Sequence, residues 1–242
     1  MCIRDRLNNG KKIPADLVIC NADPPTVYSE MLPLEYSRDS LLKPKKFTHY
    51  SMGLYVLFFG SKKKFSDVAH HTIWMSERYK ELLHDIFEKK ILTEDFSLYL
   101  HRPTATDDTF APEGCDSFYV LCPVPNLQGN VQWNSEGPKL KDRIVEALDK
   151  TIMPGLKENI EAEFWMTPED FKNDYRSKYG AGFSVAPIFS QSAWFRYHNK
   201  DKKIPNLYFS AAGSHPGAGI PGVLCSAKVI EKLIIKDFKV SH

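Results

Sequence analysis

The sequence predicts an α/β fold on three observations. A short apolar run, Leu207 to Phe209, leads through a glycine-rich loop into a helical pattern that opens at Pro221. Elsewhere the segment 77–90 places apolar residues on one helical face. Three runs rich in β-branched and aromatic residues, bounded by Gly, Pro or charge, indicate a sheet: Met52 to Phe59, Phe96 to His101 and Phe118 to Leu121.

The strand, glycine loop and helix from Asn206 to Ile235 predict a binding site. Glycine reaches positive φ without a Cβ clash and lets another group approach the main chain. Pro221 suits a first helical turn, where its missing N–H has no partner. The loop would therefore aim free N–H groups and the positive end of a helix dipole at an electron-rich ligand. A purely structural glycine turn is the alternative.

Two better-known glycine motifs do not fit this stretch. Gly217 to Gly222 matches GxGxxG, but a dinucleotide fingerprint needs a following strand with an acidic residue about 20 positions on. The remaining residues, from Ala227 to Phe238, are predicted to be helical. The residue two before Ser214 is Ala212, so the GxSxG nucleophile elbow is excluded as well.

The N-terminal part predicts a hairpin and a strand. Met1 to Arg6 carries no pattern that continues into the rest, and we interpret it as a non-native start. Asn9-Gly10 is a hairpin signal, and Ala15 to Cys20 has strand length and ends at the breaker Asn21 to Pro25.

Helical patterns occupy the middle of the chain. In the segment 77–90, Leu82, Leu83, Ile86 and Phe87 share a face that we expect to pack on the sheet. The alternative is a face that meets lipid, since the basic run Lys62 to Lys64 lies nearby. A second amphipathic helix is predicted from Leu140 to Ile152, and Thr167 to Asp170 is a capping signature.

Composition excludes several classes of protein. The formal net charge of +2 indicates neither a nucleic-acid surface nor an acidic tail. Five cysteines at scattered spacings, without CxxC, predict neither a disulfide framework nor a zinc site and fit a reducing, intracellular compartment. No apolar run reaches the 18 or so residues of a membrane span.

Titratable residues provide no obvious catalytic group. His70 and His71 are adjacent and are expected to point apart on a regular element, and no HxH, HxxxH or HExxH spacing occurs. We therefore predict no metal site. Asp107-Asp108 and Glu169-Asp170 lie in a polar loop and a helix first turn, where acids are ordinary. No catalytic residue is assigned.

The order of several motifs resembles the bacterial and fungal type of phytoene desaturase, a carotenoid-pathway flavoprotein. The likeness runs from Asn9 to Ile235. Ala211 and Ser214 stand where the family usually has glycine and threonine. The matching motifs, besides the glycine loop, are AHHT (69–72), EDFSLYLH (94–101), APEG (111–114), YVL-PVP (119–125), MPGL (153–156) and QSAWFR-HN (191–199).

The resemblance implies a fold and its domains. It implies a partial FAD/NAD(P)-binding domain, Rossmann-like and amine-oxidase-like, with an inserted α+β substrate domain. The expected boundaries are 7–31 for the first flavin-domain piece, 32–200 for the substrate domain and 201–242 for the C-terminal flavin-contacting piece. The family's N-terminal dinucleotide fingerprint is not in this sequence, so we expect a C-terminal fragment whose own FAD affinity is reduced.

The resemblance also implies a site. The expected FAD contacts are Gly213, Ser214, Gly219, Ile220, Pro221, Gly222 and Val223. A long polyene can be held only by apolar and aromatic walls, which suggests Phe183, Trp194, Phe195 and Tyr197, with core packing as the alternative. His101 and His198 recur in the family and are expected to satisfy hydrogen bonds.

The implied function is FAD-dependent desaturation of phytoene, a C40 polyene, toward lycopene. Expected partners are the hydrophobic substrate and a membrane surface, with a cytoplasmic, peripherally membrane-associated location and no nucleic acid. The alternatives are a sister activity on the same fold (carotenoid isomerase, ketolase or diapophytoene desaturase) and an inactive lipid-binding fragment.

Overall fold

The computed structural model describes residues 3–6, 9–33 and 48–239 and divides the chain into two compact units. The first contains residues 1–51, 175–178 and 183–242, and the second contains residues 52–174 and 179–182. The second unit is narrower than the predicted substrate segment 32–200, because residues 183–200 pair with the C-terminal strand and its loop. Residues 34–47 of that segment, and Met1 and Cys2 of the predicted non-native start, lie outside the described residues.

The first unit is built from short strands and one long helix. Strands β1 (Ile3–Arg6) and β2 (Lys12–Ala15) form an antiparallel hairpin, as Asn9-Gly10 predicts. Strand β3 (Val18–Cys20) is separate from β2, although the predicted run was continuous. Helix α1 (Pro24–Thr26) follows and continues with π geometry over Val27–Met31.

The C-terminal part of this unit has the predicted order of elements. Strand β9 (Leu207–Phe209) pairs in parallel with β3. Its three residues are buried, as expected of an apolar run between other elements. The long helix, named α6 below, spans Ile220–Phe238 and begins one residue before the predicted start.

The second unit contains a five-stranded antiparallel sheet that packs against a long helix. Its strand order is β5-β6-β7-β4-β8. The strands are β4 (Gly53–Ser61), β5 (His71–Trp74), β6 (Leu98–His101), β7 (Asp116–Val124) and β8 (Ile160–Met166). The helices are α2 (Tyr79–His84, continuing with π geometry over Asp85–Lys89), α3 (Trp133–Lys150), α4 (Leu156–Asn159) and α5 (Pro168–Tyr175).

Helix α3 covers one face of this sheet and forms the main core with it. Leu140, Ile144 and Leu148 are completely buried against Leu57 and Val120. The helix begins at Trp133, before the predicted start, because Trp133 is itself buried in this core. Burial of each such aliphatic side chain contributes about 1.5–3 kcal/mol.

The predicted face of helix α2 is only partly correct. Leu82 and Ile86 are buried, whereas Phe87 is 37% exposed, although Ile86 and Phe87 lie in the same π-helical turn. The buried pair indicates packing on the protein rather than on lipid. At helix α5 the predicted cap is confirmed, since the backbone N–H of Thr167 donates to Asp170 Oδ2 at 2.7 Å.

Candidate functional site

The glycine loop, residues 210–219, connects β9 to α6 and carries the unusual backbone that the sequence predicts. Gly219 has φ +89°, and a Cβ there would meet no atom within 4 Å. Gly222, in the first turn of α6, would bring a Cβ to 2.6 Å from the carbonyl oxygen of Gly217. Both positions therefore need glycine, the first for its conformation and the second for a close approach of main chains.

The helix start, residues Gly219 to Val223, is exposed over its first three residues, while Gly222 and Val223 are half-buried. Among the described residues no side chain caps this end of α6. Ile220 is 79% exposed and Pro221 is exposed too. The N–H of Val223 already donates to the carbonyl oxygen of Gly219 at 2.9 Å, so the N–H groups of Ile220 and Gly222 are the donors that precede the helical ladder.

Gly213 and Ser214, two further predicted contacts, lie inside the protein. A Cβ on Gly213 would stand 2.6 Å from both Pro24 Cδ and Ser184 Oγ. Ser214 is completely buried, and its hydroxyl donates to the carbonyl oxygen of Ala211 at 2.8 Å and accepts from the Ala211 N–H at 3.0 Å. These two residues shape the loop, while the exposed surface belongs to the helix start.

Arg196 holds the glycine loop from the inside. Its guanidinium donates to the carbonyl oxygen of Ala212 from Nε at 3.1 Å and from Nη2 at 2.7 Å. The same side chain also donates to the carbonyl oxygens of Val185 and Phe183. Burial lowers the pKa of Arg196, and the charge of Asp23 opposes that shift. The Arg196 side chain thus holds two backbone segments, around Ala212 and from Phe183 to Val185, that lie outside helices and strands.

Asn199 adds a second clamp to the loop. Its Nδ2 donates to the carbonyl oxygen of Phe209 at 3.1 Å and to that of His215 at 2.7 Å. The N–H of His215 donates to the carbonyl oxygen of Tyr197 at 2.7 Å. The QSAWFR-HN motif therefore braces the loop through Arg196 and Asn199, a role that its sequence does not reveal.

Asp23 ties the same region to the segment before α1. Its Oδ1 accepts from Ser184 Oγ at 2.5 Å, and its Oδ2 accepts from the Lys178 N–H at 3.1 Å. Burial raises the pKa of Asp23, while these hydrogen bonds and the nearby cations act in the opposite direction. The sequence marked this residue only as part of a strand-ending breaker.

The predicted aromatic wall does not form one surface. Tyr197 is 7% exposed and its ring stacks on Tyr28 at 5.9 Å between centroids, which is the core-packing alternative. Phe183 is half-buried, whereas Trp194 and Phe195 are 73% and 62% exposed. Tyr197 packs in the core because its ring lies between the loop and α1. Trp194 and Phe195 lie in a short 3-10 turn at the surface.

A different set of rings lies together on the second unit, on the sheet face away from α3. Directly opposed residues of the five strands form one line of rings, here named the cross-sheet row: His71, His101, Tyr119, Phe58 and Phe164. The rings of Phe58 and Phe164 stack at 4.5 Å, and Phe58 meets Tyr119 edge-on at 5.3 Å. Strand alternation places all five side chains on this face.

An open cleft of about 580 Å³ lies over the row. Phe58, His101, Tyr119 and Phe164 line it, and Phe110 closes one side. Its size is in the range of small-molecule sites, and its walls are mostly apolar. No sequence pattern pointed to it, because each member lies on a different strand and only the register brings them together.

His101 and His198, both expected to satisfy hydrogen bonds, have different surroundings. His101 Nε2 lies 2.8 Å from His70 Nε2, while the ring of His198 lies 5.0 Å edge-on to Trp194. Burial, followed by the charges of His70 and His71, lowers the pKa of His101. The expectation that His70 and His71 point apart is wrong: their ring centroids are 4.4 Å apart, because β5 begins at His71 and the strand alternation does not extend to His70.

The helix start fits the flavin that the resemblance implies. It presents the N–H groups of the first helical turn, which no side chain among the described residues caps, the positive end of a 19-residue helix, and a glycine that leaves open space before it. These are the features that bind electron-rich groups at helix N-termini. If a flavin binds, Gly219, Ile220, Pro221 and Gly222 are the predicted residues that could contact it directly.

Comparisons with known proteins match nearly the whole chain. The phytoene desaturase (lycopene-forming) of Pseudescherichia vulneris is 46% identical over 239 residues, which cover 97% of this chain and 48% of the relative. That of Pantoea ananas is 45% identical over 235 residues, with coverages of 96% and 47%. The chain therefore spans about half the length of these curated relatives.

A solved structure and a family model agree on the fold. An oxidoreductase from Methanosarcina mazei has a TM-score of 0.52 and 15% identity, covering 92% of this chain and 44% of that one. The family model of flavin containing amine oxidoreductases matches residues 3–229. The predicted α/β, amine-oxidase-like fold is confirmed, and the chain belongs to the family of flavin containing amine oxidoreductases.

Proposed function

We propose that the protein containing this chain carries out FAD-dependent desaturation of phytoene toward lycopene. The observation that carries the proposal is identity of 44–46% to three lycopene-forming phytoene desaturases over 96–97% of this chain. Membership of a flavin family supports a flavin as the oxidant. FAD is the form that we propose, by resemblance to that type of desaturase.

The helix start has the electrostatics that this chemistry needs. A bound flavin would accept the electrons and hydrogen that are removed from adjacent allylic carbons. The N-terminus of α6 presents about half a positive charge, which favours a ligand that becomes more negative on reduction. Arg196 and Asn199 hold the loop in place before the ligand arrives, so little reorganisation is needed.

The cross-sheet row is the part of the second unit that we propose to hold the polyene. Its aromatic part, Tyr119, Phe58 and Phe164, crosses three adjacent strands and so extends about 10 Å, given a strand spacing of about 4.8 Å. A conjugated hydrocarbon offers no hydrogen-bonding group, so ring faces and edges are its natural contacts. Phe58, Tyr119 and Phe164 provide these contacts. Phe164 is 59% exposed, so its ring is accessible to a bound substrate. This assignment replaces Tyr197 of the predicted wall.

We propose that the protein works at a membrane surface, where such a substrate is dissolved. No helix within the described ranges has the length and apolar character needed to cross a bilayer. On the first unit Phe189, Trp194 and Phe195 are 88%, 73% and 62% exposed, and the ring centroids of Phe189 and Phe195 lie 6.0 Å apart. Aromatic side chains of this kind favour the interface between lipid and water.

The test is expression of the protein in a host that accumulates phytoene, with the carotenoids separated by chromatography. We expect colourless phytoene to decline and coloured lycopene to accumulate, and the purified protein to be yellow. A host that retains all its phytoene, in the presence of soluble protein with bound flavin, would refute the proposed reaction.

The same experiment separates the alternatives. Conversion only of a supplied C30 polyene would indicate a diapophytoene desaturase, and a change in geometry or oxygen content without new double bonds would indicate an isomerase or a ketolase. Titration of the purified 242-residue chain with FAD tests the remaining alternative, because absence of binding together with adsorption to lipid vesicles would indicate a lipid-binding fragment.

A further inference from the structure

Three histidines from two distant segments meet at one end of the cross-sheet row. They are His70, His71 and His101, and one ring nitrogen of each lies within 4.8 Å of the others. The ring centroid of His101 lies 4.8 Å from that of His70 and 5.2 Å from that of His71. Three imidazoles are a common ligand set for late transition metals.

The fold brings these side chains together by strand pairing. His71 on β5 is directly opposite His101 on β6, so both side chains stand on the same face of the sheet. His70 precedes β5 and bends back over the pair. His71 and His101 are paired in the sheet, and the N–H of Arg102 donates to the carbonyl oxygen of His70 at 2.9 Å, so backbone hydrogen bonds hold the three residues together.

Neighbouring hydroxyl groups occupy one nitrogen of two of these rings. Tyr99 OH lies 2.8 Å from His71 Nδ1, and Thr106 Oγ1 makes a hydrogen bond with His70 Nδ1. These contacts leave the Nε2 atoms of His70 and His71 available as ligands, and Nε2 of His70 lies 2.8 Å from Nε2 of His101. A hydrogen bond to the second ring nitrogen is the usual support of a metal-bound histidine, because it fixes the tautomer and the ring orientation.

We propose that His70, His71 and His101 bind one divalent transition metal ion, of the class of Zn²⁺, through their Nε2 atoms. Bonds of about 2.0–2.1 Å to a tetrahedral ion separate the ligand nitrogens by about 3.4 Å. His70 Nε2 and His101 Nε2 are 2.8 Å apart, so a small ring rotation accommodates the ion between them. The three protein ligands leave a fourth position for water or another small ligand.

The test is calorimetric titration of tag-free protein with ZnSO₄ after removal of metal by a chelator. We expect one equivalent to bind with a Kd of about 10 μM or tighter and the melting temperature to rise, since an ion that binds the folded state stabilises it. In Co²⁺-loaded protein we expect visible bands of a tetrahedral complex that Zn²⁺ abolishes. Binding no tighter than about 1 mM would overturn the proposal.

Variants identify the ligands. His71→Gln changes an exposed residue and should keep the fold, while reducing Zn²⁺ affinity by at least about tenfold. Tyr99→Phe keeps the ring and removes the supporting hydroxyl, and we expect a loss of about 10- to 100-fold. His84→Gln, at an exposed histidine on α2, is the matched control and should bind like the unmodified protein. Equal affinity of His71→Gln and His84→Gln would overturn the assignment.

Discussion

At the scale of single residues, glycine positions decide whether the helix start can accept a ligand. Gly219 combines φ +89° with open space around its missing side chain, whereas Gly213 and Gly222 are required by close neighbours. The sequence predicted that the stretch needed glycines but could not separate these two reasons. The difference between the two reasons matters, because only Gly219, which has open space around it, adjoins a surface where another molecule can lie.

Gly219→Val should abolish flavin retention. A β-branched residue at this φ is strained by about 1–3 kcal/mol, so the backbone at the helix start must move. The measurement is the flavin absorbance that remains with the protein after gel filtration. Gly10→Val is the matched control, since Gly10 has φ +82°, also has nothing within 4 Å and lies in the β1–β2 hairpin. If both variants stay equally yellow, the helix start is not the flavin contact.

Residues that the sequence did not single out hold the glycine loop in place through hydrogen bonds. Arg196 and Asn199 are buried and Asp23 is half-buried. Their partners are almost all backbone groups or residues distant in sequence. A buried polar group is stable only when it is hydrogen-bonded, which only the folded chain can reveal. For Arg196 the one available signal was its place in a motif shared with a known family.

At the scale of elements, helix α6 is attached at both ends in different ways. Among the described residues no side chain caps its start, whereas side chains hold its last turn. Asp237 Oδ2 accepts from Lys200 Nζ at 2.6 Å and from Tyr208 OH at 2.6 Å, which joins the helix to β9. The attachment fixes the direction in which the open start points.

The attachment predicts an acid-sensitive contribution to stability. The hydrogen bonds from Lys200 and Tyr208 hold the pKa of Asp237 below its usual 3.8. The folded state therefore binds fewer protons than the unfolded state near that pH, and the contribution of Asp237 is present above pH 3.8 and lost as the pH falls through the lower, folded-state pKa.

Asp237→Asn should lower the free energy of unfolding by about 1 kcal/mol at neutral pH, the usual worth of such a hydrogen bond. The difference from the unmodified protein should shrink as the pH falls below 3.8. Urea unfolding across this pH range measures it. Asp174→Asn, at an exposed aspartate, serves as the control, and a deficit that stays constant with pH would contradict the proposed linkage.

Strand alternation explains both a success and a failure of the sequence patterns. Each of the runs at 52–59, 96–101 and 118–121 contains strand residues, 53–59, 98–101 and 118–121, because apolar and aromatic residues at alternating positions bury one face under α3. The expectation for His70 and His71 failed, since it assumed one regular element through both residues. The first residue of an element is the least certain feature of any pattern.

At the scale of the whole molecule, the cross-sheet row is a feature that no single segment of the sequence contains. Its five members come from five strands and span residues 58 to 164. We propose that it holds the polyene at its aromatic part and a metal ion at its histidine part. The two proposals rest on different side chains, so each can fail without the other.

Phe164→Ser should weaken turnover of phytoene at low substrate by roughly 10- to 100-fold, given about 1.5–3 kcal/mol for a buried aromatic contact. The protein should remain folded, because the ring is 59% exposed. Tyr175→Ser changes an aromatic residue of similar exposure, 61%, at the last residue of α5 and outside the cross-sheet row, and is the control. Initial rates on phytoene in vesicles measure the effect, and equal rates for the two variants would exclude the row as the substrate surface.

By itself the sequence determined the α/β class, the strand, glycine loop and helix near the C-terminus, and the family. These depend on local properties, namely side-chain period, glycine and proline conformations and motif order, which are visible without folding. Tertiary structure alone decided which predicted contacts are exposed, that Tyr197 packs inside, and that His71, His101, Tyr119, Phe58 and Phe164 share one line. Such neighbours are set by strand register and long-range packing, and the period of a single segment contains neither.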